Sequence, residues 1–428
     1  MDPQRTPLRR VVMASLIGTT VEWYDFFLYG SAAALVFNHL FFPTADPAVG
    51  TLLSFGTYAL GFVARPVGGI VFGHYGDRIG RKRLLMLSLV LMGISTVLIG
   101  LLPTYAQIGI WAPALLVLLR LVQGFAVGGE WGGAVLMAAE HGDAARRGFW
   151  ASWPQVGVPA GNLLAAGMLA IMAAVQSDAD FLSWGWRLPF VLSAVLVAVG
   201  WYIRNKVTES AAFEEALAEE GPPKLPAIDV LRERPGAVLT GAGLRVGENV
   251  CYYVLTVVSL TFLVDFFHQS KSLALNALLI GAAVQLFAVP AFARLSDRIG
   301  RRPVYAIGGF GMAAWSFAFF PLLASGEPVA ITLALVVGLV FHAAMYGPQA
   351  AMIAELFPTR IRYSGASIAY QLTAIVAGSL APLISVWLYH RFGSAHPAAI
   401  YVAICCAVSG LSALLARETK GVRLEDIR

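Results

Sequence analysis

Long apolar runs dominate the chain, and little polar sequence separates them. A bilayer core about 30 Å thick takes about 20 helical residues to cross. By that measure the chain reads as twelve spans, at roughly 11–37, 49–73, 84–103, 112–139, 149–175, 186–204, 237–264, 273–293, 303–323, 328–354, 364–389 and 397–416. Gly and Pro interrupt many of these runs, as they do in membrane helices that bend or pack closely. The longest charged interval, 207–236, contains TESAAFEEALAEEGPPKLP, an acidic stretch that predicts a short surface helix stopped by its prolines.

Composition agrees with the pattern. Of 428 residues, 58% are hydrophobic and 13% charged, about half the charged share of a soluble domain. The mean hydropathy is +0.71. A formal net charge of +5 could suggest a nucleic-acid partner, but the location of the charges removes that reading. With the N-terminus placed in the cytoplasm, 24 of the 30 Lys and Arg fall at the termini or in even-numbered loops. Only Arg187, Lys271 and Arg391 fall on the opposite side, and Arg65, Arg120 and Arg245 fall within spans. The basic balance is therefore a topology signal, with both termini cytoplasmic. The basic N-terminus MDPQRTPLRR is followed by a long run without a small-residue cleavage site, which predicts a first membrane helix rather than a cleaved leader.

The chain also repeats itself. FGHYGDRIGRKR (72–83) returns as FARLSDRIGRRP (292–303), so that Asp77 matches Asp297 at an offset of 220. A second echo at an offset of 215 pairs Met137, Glu140, Arg147 and Ser152 with Met352, Glu355, Arg362 and Ser367. Offsets near half the length imply an internal duplication. The expected architecture is all-α, with an N-terminal six-helix bundle (1–206), a cytoplasmic linker (207–236) and a C-terminal six-helix bundle (237–428).

Twelve spans, duplicated halves and the Gly73–Arg83 loop resemble the major facilitator superfamily over essentially the whole chain. The resemblance implies that Gly73, Asp77, Arg78, Gly80 and Arg81, with Asp297, Arg298 and Arg301 in the second half, form a conformational latch that favours the outward-open state. EWYDFFLYG, RLVQGFAVGGEWGGA (120–134), SWGWRLPF (183–190) and the GEN of the seventh span are similar to the metabolite:proton symporters, most of all to their shikimate-transporter branch. Other branches move 2-oxoglutarate, citrate, or proline and betaine. The fifth span reads GVPAGN (157–162), whereas proton antiporters of the superfamily usually carry a G-P-x-x-G-G-like element there.

The polar residues inside the spans are the candidates for chemistry, because an intramembrane ionisable group is functional by default. Glu22 and Asp25 are three apart and Tyr29 follows at four, which places them on one helical face. Two close carboxylates in a poorly solvated site disfavour double ionisation, and a group that exchanges a proton can couple transport to a proton gradient. A structural pairing with an arginine from another helix is the competing reading. Arg120 stands where the resemblance places an arginine in proton-linked members, and its permanently charged fork can exchange partners. Gln123 shares its face. Glu130, among small residues, is readable as a structural hydrogen-bonder or as a transport acid.

In the seventh span, Arg245, Glu248, Asn249 and Tyr252 recur at three, four and seven, which makes one polar stripe. Arg245 is either the group that grips a substrate carboxylate or the partner of Glu248 in an internal pair. Gln155 and Asn162 in the fifth span, His342, Tyr346 and Gln349 in the tenth, and Tyr370 in the eleventh are further lining candidates. His342 can equally donate to a backbone carbonyl. Cys251, Cys405 and Cys406 lie in apolar segments without metal or disulfide spacing. No hydrolase, zinc or phosphate-loop motif is present, so neither an enzyme nor a cofactor is expected.

Taken with the resemblance, these residues point to an importer that couples protons to uptake of a small polar organic acid such as shikimate. A zwitterionic osmolyte or a di- or tricarboxylate is the alternative cargo. The expected setting is a monomer in the bacterial cytoplasmic (inner) membrane, with the lipid bilayer, the substrate and protons as its partners and no nucleic acid.

Overall fold

The structure is a computed structural model that describes residues 8–43, 46–79, 81–128, 135, 138–139, 144–205, 226–358 and 362–422. Among these, every regular element is helical. The long segments, in chain order, are α1 (Leu8–Ala32), α2 (Pro47–Ile79), α3 (Arg81–Leu101), α4 (Trp111–Val127), α5 (Arg147–Val175) and α6 (Arg187–Asn205). They continue as α7 (Pro235–Tyr253), α8 (Lys271–Ile299), α9 (Arg301–Ala324), α10 (Pro328–Ala354), α11 (Arg362–Thr373) and α12 (His396–Leu415). π turns extend α1 through Ala33–Phe37, α7 through Val254–Val258 and Phe262–Phe266, and α11 through Ala374–Gly378 to a last segment, Leu380–Phe392. Of the 207–236 linker, Pro226–Glu233 forms a short helix, and 207–225 lies outside the described residues.

Among the described residues, α5, α7 with its extension, α8, α9, α10 and α12 are each long and apolar enough to cross a membrane. A bent pair, Asp178–Gly185 with Arg187–Tyr202, passes the same test as one unit, and α4 is a shorter apolar helix. Large apolar side chains cover the outside: Phe287, Ile307 and Ile404 are 77%, 57% and 59% exposed. Such a surface would drive association in water, and it suits a hydrocarbon solvent.

Helix pairing repeats with a shift of six. α1 packs on α5 and α6, α2 on α4, and α3 on α6; likewise α7 packs on α11 and α12, α8 on α10, and α9 on α12. Contacts across the two sets run chiefly through α5 against α8 and α10. Small residues permit the closest crossings. A Cβ on Gly124 of α4 would lie 1.9 Å from the Gly61 carbonyl oxygen of α2, so the two backbones touch. Thr19 lies against Gly157 and Tyr24 against Gly161, so α1 and α5 run parallel. Arg147 in turn meets Val422, which puts the start of α1 and the last described residues at the same end of the bundle.

Candidate functional site

The three polar residues of α1 diverge. Glu22 turns toward a narrow cavity between the two sets of helices. Asp25 is 1% exposed and accepts a hydrogen bond on Oδ1 from the Ser193 hydroxyl of α6 at 2.5 Å, while its Oδ2 has no partner. Tyr29 donates to Thr57 of α2 at 2.7 Å, and Thr57 donates on to the Ser54 carbonyl. Helical geometry explains the divergence: at about 100° per residue, Tyr29 falls within about 20° of Glu22 but Asp25 is about 60° aside. That angle is enough to aim Asp25 at a different neighbour.

Arg120 is fully buried and forms no ion pair with Asp25. Its Nη1 donates to Gln123 at 3.1 Å, and Gln123 donates to Thr96 at 2.8 Å. Its guanidinium rests on the rings of Phe26, Tyr29 and Tyr58, at 4.6, 4.2 and 4.9 Å from their centroids. Aromatic faces stabilise a cation without neutralising it, and Nε and Nη2 remain unpaired.

Among the residues lining the cavity are Glu22 and Trp23 of α1, Arg65 of α2, Tyr346 of α10, and Tyr370 and Gln371 of α11. Asn162 of α5 and Tyr252 of α7 are buried, and among the described residues neither the Asn162 amide atoms nor the Tyr252 hydroxyl has a partner within hydrogen-bond distance. Buried polar atoms without partners are rare and costly.

Arg245 and Glu248 of the α7 stripe are tied into a hydrogen-bonded network with α10. Arg245 Nη1 donates to Glu248 Oε2 at 2.7 Å and to Gln349 Oε1 at 2.8 Å, and its guanidinium lies 3.6 Å from the Tyr370 ring centroid. Gln349 Nε2 donates back to Glu248 at 3.2 Å. His342 Nε2 meets Glu248 Oε1 at 3.0 Å, its Nδ1 meets Gln285 at 2.6 Å, and Tyr252 stacks on its ring. Of the two readings open for Arg245, the geometry is that of the internal pair. For His342 it is a side-chain partner rather than a backbone carbonyl. Asn249 donates to the Arg245 carbonyl within its own helix, and Gln155 crosses from α5 to the Tyr346 carbonyl.

At the end that carries Leu8 and Val422, the second copy of the repeated loop joins the two sets of helices. Asp297 accepts hydrogen bonds from the Gly148 and Phe149 amides, both at 2.9 Å, and so caps the N-terminus of α5 from α8. Arg301 donates to Asp297 at 2.6 Å and to Glu355 at 3.4 Å. Glu355 also accepts from Arg147 at 2.9 Å and from the Thr419 hydroxyl at 2.5 Å. Glu418 accepts from the Arg301 and Arg302 amides, capping α9 in the same manner, and the Arg298 carbonyl accepts from Lys420. The glycine of the motif has a conformational reason here. Gly300 has φ +111°, a backbone setting that side chains rarely adopt. In the first copy, Gly80 and the side chains of Gly73, Asp77, Arg78 and Arg81 lie outside the described residues, as does Glu130.

Sequence reasoning assigned no role to Arg65, Ser193, Glu418, Arg147 or Glu355. Arg65 was visible as an arginine within a span, and Arg147 and Glu355 stood in the second repeat echo. Pairing Arg147 with Glu355 required the fold, because 208 residues separate them.

Two helical sets related by an internal repeat, a narrow cavity between them that carries Glu22 and Arg65, and an ion-paired junction at one end are the architecture of a secondary transporter. The chain belongs to the sugar (and other) transporter family of the major facilitator superfamily, whose model matches residues 11–214 and 214–428. It is 42% identical over 416 residues to the shikimate transporter of Escherichia coli (strain K12), covering 96% of this chain and 95% of that protein. It is 41% identical to the inner membrane metabolite transport protein YhjE of the same strain, covering 98% and 97%. The proline/betaine transporter of that strain is 35% identical over 96% of this chain and 84% of its own length. The fold matches the solved structure of the proton:xylose symporter XylE bound to 6-bromo-6-deoxy-D-glucose, with a TM-score of 0.76, 18% identity and 98% of each chain covered. These relatives are transporters, not enzymes.

Proposed function

We propose that the protein is a proton-coupled importer of a small organic acid such as shikimate, working by alternating access. The observation that carries this reading is the charge balance buried in the first set of helices. Among the described residues, that set buries Glu22, Asp25, Arg65 and Arg120, and neither arginine forms an ion pair. A proton on Asp25 leaves one positive charge in excess, and a substrate carboxylate restores neutrality. The loaded carrier then crosses between its two states without moving an uncompensated charge through a poorly solvated interior. The network of Asp297, Arg301, Glu355 and Arg147 closes one end and is the latch whose opening releases cargo.

In this reading twelve helices span the bacterial inner membrane, both termini are cytoplasmic, the latch faces the cytoplasm, and a single chain suffices. Homology to carriers of shikimate and of other metabolites supports the substrate class. A second reading, uptake of a zwitterion such as proline or betaine, draws on the aromatic residues Trp23, Tyr346 and Tyr370 beside Glu22, since aromatic faces and a carboxylate suit a quaternary ammonium.

The test is uptake of labelled shikimate and labelled glycine betaine into proteoliposomes under an imposed pH gradient. Gradient-driven accumulation of shikimate is expected. Asp25→Asn is expected to abolish accumulation and to keep exchange of internal for external substrate at equal pH. Uptake indifferent to the gradient would sink the coupling, and accumulation of betaine alone would replace the substrate class.

A further inference from the structure

We infer that Arg65 of α2 is the anion-recognition residue of the central cavity, the group that receives the carboxylate of the transported molecule. The inference rests on the organic-acid reading above and assigns to one side chain the specificity that the reading leaves open.

Arg65 is 2% exposed, yet its Nε and Nη2 have no hydrogen-bond partner and it forms no ion pair. What holds it is apolar. Its guanidinium lies 4.4 Å from the Phe62 ring centroid, 4.5 Å from that of Phe26 and 5.7 Å from that of Trp23. These rings fix the plane of the fork and leave its N–H edge free. The backbone beside it is closely packed: a Cβ on Gly128, the residue that caps the end of α4, would lie 2.0 Å from the Arg65 carbonyl oxygen. The result is a buried guanidinium in the wall of a cavity with Nε and Nη2 unpaired among the described residues, and a carboxylate matches that edge in two parallel hydrogen bonds.

The other buried arginines are placed differently. Arg245 is neutralised by Glu248 and tied to Gln349, so an incoming carboxylate would have to displace an existing partner. Arg120 is boxed by Phe26, Tyr29 and Tyr58, and neither it nor Arg245 lines the cavity. Phe26 touches both Arg65 and Arg120, at 4.5 and 4.6 Å. A carboxylate on Arg65 is therefore sensed one ring away from the arginine next to Tyr29, on the helix that carries Asp25. Gln371 and Tyr370 line the cavity from α11, and Gln371 Nε2 donates to the Gly128 carbonyl at 2.9 Å.

The experiment is isothermal titration of the detergent-purified full chain with two probe pairs: shikimate with methyl shikimate, and glycine betaine with choline. In each pair the second compound lacks the carboxylate. Wild-type protein is expected to bind at least one carboxylate in preference to its counterpart. Arg65→Gln is expected to weaken that carboxylate at least about 30-fold while leaving its counterpart nearly unchanged, so the preference collapses. Arg65→Lys keeps the charge and loses the fork, and is expected to retain the preference at about tenfold lower affinity. The lysine variant also carries the test if the glutamine variant fails to fold.

A wild-type preference that survives Arg65→Gln overturns the role of Arg65 and leaves the organic-acid reading standing. Equal weakening of both members of a pair reduces Arg65 to a structural part and also overturns the inference. Wild-type protein that binds neither carboxylate removes the organic-acid reading, and this inference with it.

Discussion

Replacing Asp297 by asparagine tests whether the junction between α5 and α8 is held by the carboxylate or only by bulk packing. Asp297 spends one oxygen on the Gly148 amide and the other on the Phe149 amide, both at 2.9 Å, and Arg301 adds a third bond at 2.6 Å. Its side chain is 6% exposed, so water screens little of this. An asparagine keeps one acceptor but turns an NH2 group toward the second amide, and it removes the negative charge from the N-terminus of α5. A hydrogen bond to a charged group contributes about 1.5–3 kcal/mol. Losing one, and the charge that strengthens the others, costs the closed state about 3 kcal/mol, roughly a 100-fold change in equilibrium. The cost falls on the closed state alone if the cap is broken when α5 and α8 part at this end. Hydrogen–deuterium exchange on a peptide covering 147–153 reads this directly, because these amides lie in the first turn of α5, where the helix itself offers no acceptor. Exchange is expected to accelerate about 100-fold in Asp297→Asn, with peptides from the middle of α9 unchanged. Acceleration of less than about threefold would refute the reasoning and leave packing of α5 on α8 as the closure.

Two further outcomes join those given for Asp25 and Arg65. Glu248→Gln should destabilise the protein by about 3–5 kcal/mol by leaving Arg245 buried without its acid, and the double variant with Arg245→Met should regain most of that loss; thermal unfolding of all three proteins would show it, and a stable single variant would contradict the network. Partial burial works against the charged form of Glu418, but the Arg301, Arg302, Lys420 and Thr419 amides outweigh it and hold its carboxyl below the ordinary value of 4.5. A lowered folded value gives stability that is fully present above about pH 4.5 and lost as pH falls through the lower folded value. Wild type and Glu418→Gln should therefore differ in stability at neutral pH and converge in acid, as equilibrium unfolding at a series of pH values would report.

The hydrophobic pattern and the two repeat offsets determined the helical class and the six-helix periodicity, because burial in lipid forces each apolar run into a helix, while the resemblance to the family came from particular motifs. They also determined which residues are polar inside the spans, and of these Arg120, Gln123, Arg245, Glu248, His342 and Gln349 sit in buried hydrogen-bonded clusters. Asp297 and Arg301 were legible in the same way, as a motif with a glycine at its turn.

What the pattern could not determine was partnership. Spacing along one helix put Glu22, Asp25 and Tyr29 on one face, but a difference of about 60° sent Asp25 to Ser193 and Glu22 to the cavity. Arg120 and Arg245 were the natural counter-charges by residue type alone. Tertiary packing instead gave Arg120 a box of aromatic rings and gave Arg245 its own helix neighbour Glu248. The unpaired cation of the cavity fell to Arg65, which carries no distinguishing sequence context. An arginine's role inside a membrane protein is set by what stands within about 4 Å of its guanidinium, and those neighbours come from helices tens or hundreds of residues away. Sequence fixes which charges are buried; only the packed bundle decides which of them are left unpaired.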